Sequence, residues 1–268
     1  MQITQAMKMV SAAKLKKAQS AIVSMRPYSE SLFNIITDIL KSMHGFSSPL
    51  VGEKTNPKRL IILVTSNRGL CGGFNSNIIK ATKSYIYKNK NKEVDLVTIG
   101  KKGNDALSKN FKIANDHSNL FECLDYESSS KIAGIYISKF ISGEYDKIEM
   151  VYNKFKNAAT QIISTETLLP YRINYSEKTE TLSDYIYEPS KTKILEDIIP
   201  KGIKIMFYKA LRESFASEHG ARMTAMHKAT DNAAELVDQL KLTYNKARQA
   251  SITNEILEIV GGAEALKK

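Results

Sequence analysis

Proline and glycine are missing where an unbroken helix would need them missing. All six prolines lie at or before Pro200, and between Ile203 and Val260 the only glycine is Gly220. Nothing in the last quarter of the chain therefore stops a helix once it has begun. Cysteine is equally scarce. Cys71 and Cys123 are far apart and fit neither a metal spacing nor a dithiol motif, which excludes a disulfide framework and points to a reducing compartment. No apolar run approaches the ~18 residues that would cross a bilayer; residues 61–64 and 198–199 are short core-type runs. The start, Met1-Gln-Ile-Thr4, has neither a signal peptide's apolar block nor the arginines of a transit peptide.

Charge is plentiful and lopsided. Thirty-nine basic residues against 28 acidic ones give a formal charge of +11. That balance suits an acidic partner: nucleic acid, an acidic lipid surface or an acidic protein. Many lysines fall in Asn/Lys-rich stretches such as residues 88–92, which read as solvated surface. At 268 residues, with 43% hydrophobic and 25% charged, the chain suits one or two folded domains with a real core.

The C-terminal stretch, residues 200–266, is rich in Ala, Leu, Met, Glu, Lys, Gln and Arg, the residues that lose least on entering a helix. One helix from Lys201 onward would be a rod of roughly 100 Å. Met226, Ala229, Ala233, Leu236, Leu240, Tyr244 and Ala247 follow the three–four spacing of a coiled-coil seam. Residues 1–45 predict a second long helix. Leu15, Ala18, Ile22, Met25, Ser29, Leu32, Ile36, Ile39 and Met43 hold the same alternation, with Ser29 as a polar slip. Ile3, Met7 and Val10 place the stripe one register earlier, so the seam is expected to shift between Val10 and Leu15. Pro27 should bend this helix without ending it, and His44-Gly45 with Ser47-Ser-Pro49 should stop it.

The middle differs in kind. Residues 59–65 form a β-branched run typical of a strand buried on both faces. A helix over 75–87, a strand over 94–99 closed by Gly100, a weak helix from Asp105 and a better one over 129–141 follow. Strands are expected over 147–155 and 159–169, the last ending at Pro170. Strands alternating with helices predict a small, mainly parallel, Rossmann-like α/β domain at 57–170. Residues 171–199 read as a connector with a short strand at 185–187 and a short helix at 191–198. The expected fold is thus α/β: a long antiparallel coiled coil of the two terminal helices, with the α/β domain inserted at one end and the longer C-terminal rod projecting alone.

No reaction centre emerges. Ser66-Asn-Arg68-Gly69-Leu-Cys71-Gly72-Gly73 follows a strand and precedes a helix, a place where phosphates bind. It is neither G-x-G-x-x-G nor a P-loop, because no Lys-Ser/Thr follows its last glycine. A tight turn or protein contact explains it as well, so its contact stays unassigned. Cys71, near a helix start and beside Arg68, is expected to be somewhat reactive but lacks a histidine partner. His219 and His227 are eight apart, not the i, i+4 of a metal pair, and read as solvent-facing or capping residues. Ala216, Gly220, Ala221, Ala225, Ala229 and Ala233 would let a second helix approach closely, while Arg222, His227, Asn232 and Gln239 surround the rod's other faces.

Several segments, in chain order, resemble the gamma subunits of F-type ATP synthases. They are Ala6-Met-Lys-Met-Val-Ser-Ala-Ala-Lys14, Asn67-Arg-Gly-Leu-Cys-Gly-Gly-Phe-Asn75, Ser217-Glu-His-Gly-Ala-Arg-Met-Thr-Ala-Met226, Ala229-Thr-Asp-Asn-Ala233, Thr243-Tyr-Asn-Lys-Ala-Arg-Gln249 and Glu258-Ile-Val-Gly-Gly-Ala263. The resemblance implies the central rotor shaft of a proton-translocating synthase. Its coiled coil would stand inside a ring of three alpha and three beta subunits, and its globular domain on the membrane-embedded c-ring with epsilon. It further implies no catalytic residue, cofactor or metal, no nucleic acid, and membrane association through the c-ring only. The place implied is the cytoplasmic face of a bacterial inner membrane, with the mitochondrial matrix face as alternative. Met7, Lys8 and Met9 match the family segment that meets the acidic foot of beta. Arg248 and Gln249 match the pair that contacts the loop catching the shaft. The family's first helix usually starts several turns earlier, and the chloroplast cysteine insert is absent, so a thiol switch is not expected.

Two other readings remain open on the residues alone. A basic coiled-coil protein binding nucleic acid or an anionic membrane would lose affinity steeply with salt. A nucleotide-binding enzyme using residues 69–73 would reveal itself in a binding assay. Copurification with alpha and beta subunits separates all three.

Overall fold

A computed structural model describes residues 2–43, 48–52, 58–89, 93–172 and 185–265, with 264–265 described by their backbone alone. The predicted helix stop at His44–Ser47, residues 90–92 of the Asn/Lys stretch and residues 173–184 of the connector lie outside the described residues.

Helix α1 (Gln2–Ser42) continues through Pro27. It buries Leu15, Ala18, Ile22, Ser29, Ile36 and Ile39, as the spacing predicts, and the Ser29 hydroxyl donates to the Arg26 carbonyl at 2.9 Å. Above Leu15 the expected apolar stripe is corrected. Ile3 and Val10 are exposed, and Ser11 takes the buried place four residues beyond Leu15. The upper contact is small and polar, ending where the hydroxyls of Thr4 and Thr230 lie 2.8 Å apart.

Helix α5 (Lys191–Ala265) is one element of 75 residues. It begins at Lys191, not Lys201, so the short helix expected at 191–198 is its first two turns and Pro200 lies inside it. An interior proline costs about 3 kcal/mol. Leu195, Ile199 and Ile203, each buried on the same face across that proline, contribute roughly 1.5–3 kcal/mol apiece and outweigh it. Residues 185–187 form no strand, against expectation; the Tyr185 and Tyr187 rings meet edge-on at 6.2 Å instead. Lys191 Nζ donates to Ser42 Oγ at 3.0 Å, so α1 ends where α5 starts and the two run antiparallel. We call this end the foot.

The middle forms β1 (Arg59–Val64), α2 (Phe74–Lys88), β2 (Val94–Ile99), α3 (Lys101–Leu107), β3 (Ile113–Asp116), a 3₁₀ turn, α4 (Tyr126–Ile141), β4 (Lys147–Phe155) and β5 (Gln161–Leu169). The sheet order is β3-β2-β1-β4-β5, with β5 the one antiparallel strand. Strand β3 escapes sequence reading because its four residues bury little and show no apolar alternation. The other strands fall within two residues of the expected ranges, whereas α3 starts at Lys101 and ends at Leu107, so the weak helix expected from Asp105 is corrected. Gly100 lies at φ +117, and a Cβ there would sit 2.2 Å from the Thr65 carbonyl oxygen, so only glycine permits the β2–α3 turn to cross β1 so closely.

Strand β1 serves two cores, as its apolar run predicts. Leu60, Ile62 and Val64 face α4, α5 and the end of α1, whereas Ile61 and Leu63 face α2 and α3. The domain therefore lies along the flank of the coiled coil, sharing its core. Ile148 and Leu169 pack near Ile203 and Phe207 at the foot, and Phe155 at the far end of β4 packs with Phe215 and Ala216. Strands and shaft rise together from the foot. Beyond Ala234 the shaft is bare: every residue from 235 to 263 is exposed.

Candidate functional site

Two features of the shaft stand out, a buried clamp at mid-height and the unclothed upper helix.

The clamp is built on the loop after β1. In a doubly wound sheet, the crevice beyond the strand ends, where strand order reverses, is the usual ligand site. Here β1 is flanked by β2 and β4, and the reversal lies between β1 and β4. Helix α5 fills that crevice. Arg222 donates from Nη2 to the carbonyls of Arg68 (3.0 Å) and Gly69 (3.2 Å), and from Nη1 to Glu218 Oε1 (2.7 Å). The Ser217 hydroxyl donates to the Asn153 carbonyl at 2.9 Å on β4. Gly220 passes so near the β4–β5 turn that a Cβ would meet the Ala158 backbone at 3.1 Å. The one glycine between Ile203 and Val260 thus packs closely against a loop, not against the second helix that the small-residue stripe suggested.

Within the loop, Asn75 holds the backbone: its Oδ1 accepts from Ser66 N (3.0 Å), and its Nδ2 donates to Ser66 Oγ (2.7 Å) and Cys71 Sγ (3.3 Å). Leu70 and Gly72 adopt positive φ of 62 and 59, and Gly72 faces Ala225 of α5. Gly73 precedes α2 without a side-chain cap. The Arg68 side chain points to solvent while its carbonyl carries the contact. Cys71 is 2% exposed, and burial pushes its thiol above its ordinary value. The expected reactivity is corrected: a buried, protonated thiol is a poor nucleophile.

The i, i+4 spacing of Glu218 and Arg222 is the sequence signal for this pair, and it does not disclose the loop carbonyls that Arg222 also reaches. Both are nearly buried, and burial lifts the Glu218 carboxyl above its ordinary range despite the guanidinium beside it. His219 is likewise corrected from solvent-facing to core. It packs edge-on against Phe215 at 4.5 Å, and burial, then Arg222 and Lys14, lower its pKa to about 3. His227 is exposed and pairs with Asp231 at 3.2 Å.

The remaining site residues sit apart from the clamp. Met7 and Lys8 are half-buried and Met9 is exposed, all on the upper turns of α1. Arg248 and Gln249 stand on the bare helix, fully outside the domain. Along that stretch Leu236, Leu240, Tyr244, Ile256 and Leu257 are all more than half exposed. The predicted seam is covered at Met226, partly at Ala229 and Ala233, and not beyond. Among the described residues no cluster of His, Cys, Asp or Glu forms a metal-binding group, and no helix is long and apolar enough to cross a membrane.

Comparison with known proteins bears on the whole chain. A family model described as ATP synthase matches residues 1–266. The chain is 56% identical over 268 residues to the ATP synthase gamma chain of Flavobacterium psychrophilum, covering 100% of this chain and 94% of that protein. It is 58% identical over 267 residues to that of Flavobacterium johnsoniae, covering 99% and 93%. In fold it is similar to a chain of the Tetrahymena thermophila mitochondrial ATP synthase central stalk and c-ring structure, with TM-score 0.64, 24% identity, and 85% of this chain and 99% of that one covered. A chain of the Euglena gracilis mitochondrial enzyme gives TM-score 0.58 at 19% identity, covering 98% and 94%.

Proposed function

The chain belongs to the ATP synthase gamma-chain family, and from that premise we propose how its clothed and bare halves divide the work of the rotor. The gamma chain is the non-catalytic central shaft that couples rotation to the cycling of the catalytic subunits. It works in a membrane-associated complex.

In our reading the foot and α/β domain stand on the c-ring with epsilon, on the cytoplasmic face of the bacterial inner membrane. The bare upper shaft enters the ring of three alpha and three beta subunits. The observation that carries this division is the run of exposed apolar residues from Leu236 to Val260 on a helix that, among the described residues, no other element clothes. Exposed apolar surface of that extent fits a sleeve of partner side chains. Each shaft angle offers different contacts to otherwise equivalent beta subunits, and only such differences can drive a conformational change. Met7, Lys8 and Met9, on the upper turns of α1 beside α5, face the acidic lower part of beta. Arg248 and Gln249 meet a beta loop higher up, where Arg248 offers its planar fork to a carboxylate or to carbonyls.

A charge-assisted hydrogen bond contributes ~1.5–3 kcal/mol. If it forms at one rotor angle only, its loss changes a step rate by roughly 10–150-fold. Arg248→Ala should therefore leave the complex assembled while slowing both ATP synthesis and hydrolysis. Turnover of the purified mutant complex at normal subunit ratio tests this. Wild-type rates in both directions would remove Arg248 from the coupling step.

A further inference from the structure

The clothed half of α5 carries a sheltered cation that has no carboxylate among the described residues. Arg59 and Arg222 are also withdrawn from solvent, and each faces a glutamate, Glu149 at 3.7 Å and Glu218 at 2.7 Å. Arg212 is half-buried and in no ion pair among the described residues. Its Nε donates to Tyr208 Oη at 2.7 Å, one turn earlier on the helix, and its Cζ lies 5.1 Å from the centroid of that ring. Tyr208 meets Tyr126, the first residue of α4, edge-on at 5.8 Å, and Phe215 stacks on Phe121 at 6.3 Å. An aromatic wall therefore holds the guanidinium at one nitrogen, while Nη1 and Nη2 have no partner among the described residues. Glu213, the next residue, does not fill the gap. The charges that act on it are those of Lys209, Lys154, Glu166 and Arg26, so it faces β4, β5 and α1.

A guanidinium half out of water with its fork unfilled has lost hydration without gaining a partner. A second protein that supplies the missing group recovers that loss, and Arg and Tyr are the residues that most often dominate such contacts. The surrounding charge selects the class of partner. Glu122, Asp125 and Glu127 flank Tyr126 in sequence, and Lys131 pairs with Glu127 at 2.8 Å. That acidic edge repels a polyanion, whereas a single carboxylate with basic neighbours complements both the edge and the cation. Height along the shaft narrows the choice further. At ~1.5 Å per residue, Arg212 lies roughly 15 Å below Arg222 and about 35 Å below the bare shaft that begins at residue 235. Only a subunit that turns with the shaft can keep a contact there through a whole revolution. We propose that Arg212, with Tyr208 and Tyr126, is a docking site for a carboxylate side chain of such a subunit. In the reading above that subunit is epsilon, and the inference rests on that reading for the identity of the partner. The fork takes both carboxylate oxygens, and Tyr126, 43% exposed, shields the pair from water.

Titration of the full chain with purified epsilon subunit, followed by calorimetry, tests it. Arg212→Gln should weaken binding roughly 10–150-fold, the loss of one charge-assisted contact. Arg212→Lys keeps the charge without the fork and should recover only part of that loss. Lys131→Gln, which removes equal charge from α4, should change little. Urea midpoints at the wild-type value show that the variants fold, and Arg212→Lys carries the test if Arg212→Gln does not. One acidic residue of epsilon, changed to lysine, should restore binding to Arg212→Glu; if none does, the carboxylate is overturned. Equal losses in Arg212→Gln and Lys131→Gln would reduce the effect to net charge and overturn the site. Wild-type affinity in Arg212→Gln overturns the site and leaves the rotor reading intact. A wild-type chain that assembles with alpha and beta but does not bind epsilon refutes the placement of epsilon, and the docking partner with it. RNA or phosphatidylglycerol vesicles that lose affinity in Arg212→Gln, while epsilon binding is kept, would replace the carboxylate by a phosphate.

Discussion

The two halves of α5 are made from similar residues and live in different worlds. Below Ala234 the helix is clothed by α1 on one side and by the sheet on another, so Leu211, Ala216 and Ser217 are sealed from water. Above it, leucines, isoleucines and a tyrosine at comparable spacing face solvent. Helix propensity is the same throughout; what differs is whether another surface arrives. The lower half is therefore core, replaceable only at a stability cost. The upper half keeps its apolar residues without any return in the stability of this chain, as expected of residues whose partner is another protein.

The sharpest way to break this contrast is at the clamp. Arg222→Ala leaves the Glu218 carboxyl buried without its guanidinium and strips a donor from two loop carbonyls, and should cost about 3–5 kcal/mol in urea unfolding. A loss below about 1 kcal/mol, the level of an exposed pair, would show that the loop does not hold the domain to the shaft. Next, Leu211→Ala should cost about 2–5 kcal/mol through lost burial and the cavity left behind.

A third test uses acid. His219 is held neutral by burial, with its pKa lowered to about 3 from an ordinary 6.5. The unfolded chain binds this proton first, so the stability from His219 is complete above pH 6.5 and is lost as pH falls toward 3. The loss approaches about 1.4 kcal/mol per pH unit. Glu213 and Glu218, both raised chiefly by burial, work in the opposite direction over the acid range. The comparison of wild type with His219→Phe isolates the histidine: the variant should lose less stability between pH 6.5 and 4.5. Parallel curves would place the imidazole in contact with water.

The smallest effect is the complement of the first two. Leu240→Ala or Leu257→Ala should change the unfolding free energy of the chain by no more than about 0.5 kcal/mol, the range for exposed positions. The same substitutions should weaken assembly with alpha and beta, read by subunit ratio after purification. A large loss in the chain alone would mean that the upper helix is clothed from within.

The sequence by itself determined both long helices, their antiparallel return, the mainly parallel sheet and the projection of the C-terminal rod, but not that the seam loses its cover already beyond Ala233. Those features are local or periodic: breaker-free runs, three–four spacing and β-branched strands carry them within a few turns of chain. The family resemblance singled out Met7, Lys8, Met9, Arg248 and Gln249; in the fold the first three lie on the upper turns of α1 and the last two on the bare shaft. What only the tertiary structure decided are matters between segments far apart in the chain. Pro200 is tolerated inside a helix because Leu195, Ile199 and Ile203 bury across it. Ser11 replaces Val10 in the seam, His219 becomes core, and Cys71 loses its reactivity to burial. Arg222 crosses 153 positions of sequence to seize the Gly69 carbonyl. Residue type and spacing say which groups are polar; which neighbour satisfies them depends on the faces that meet, and those are chosen by the packing of the sheet against the shaft.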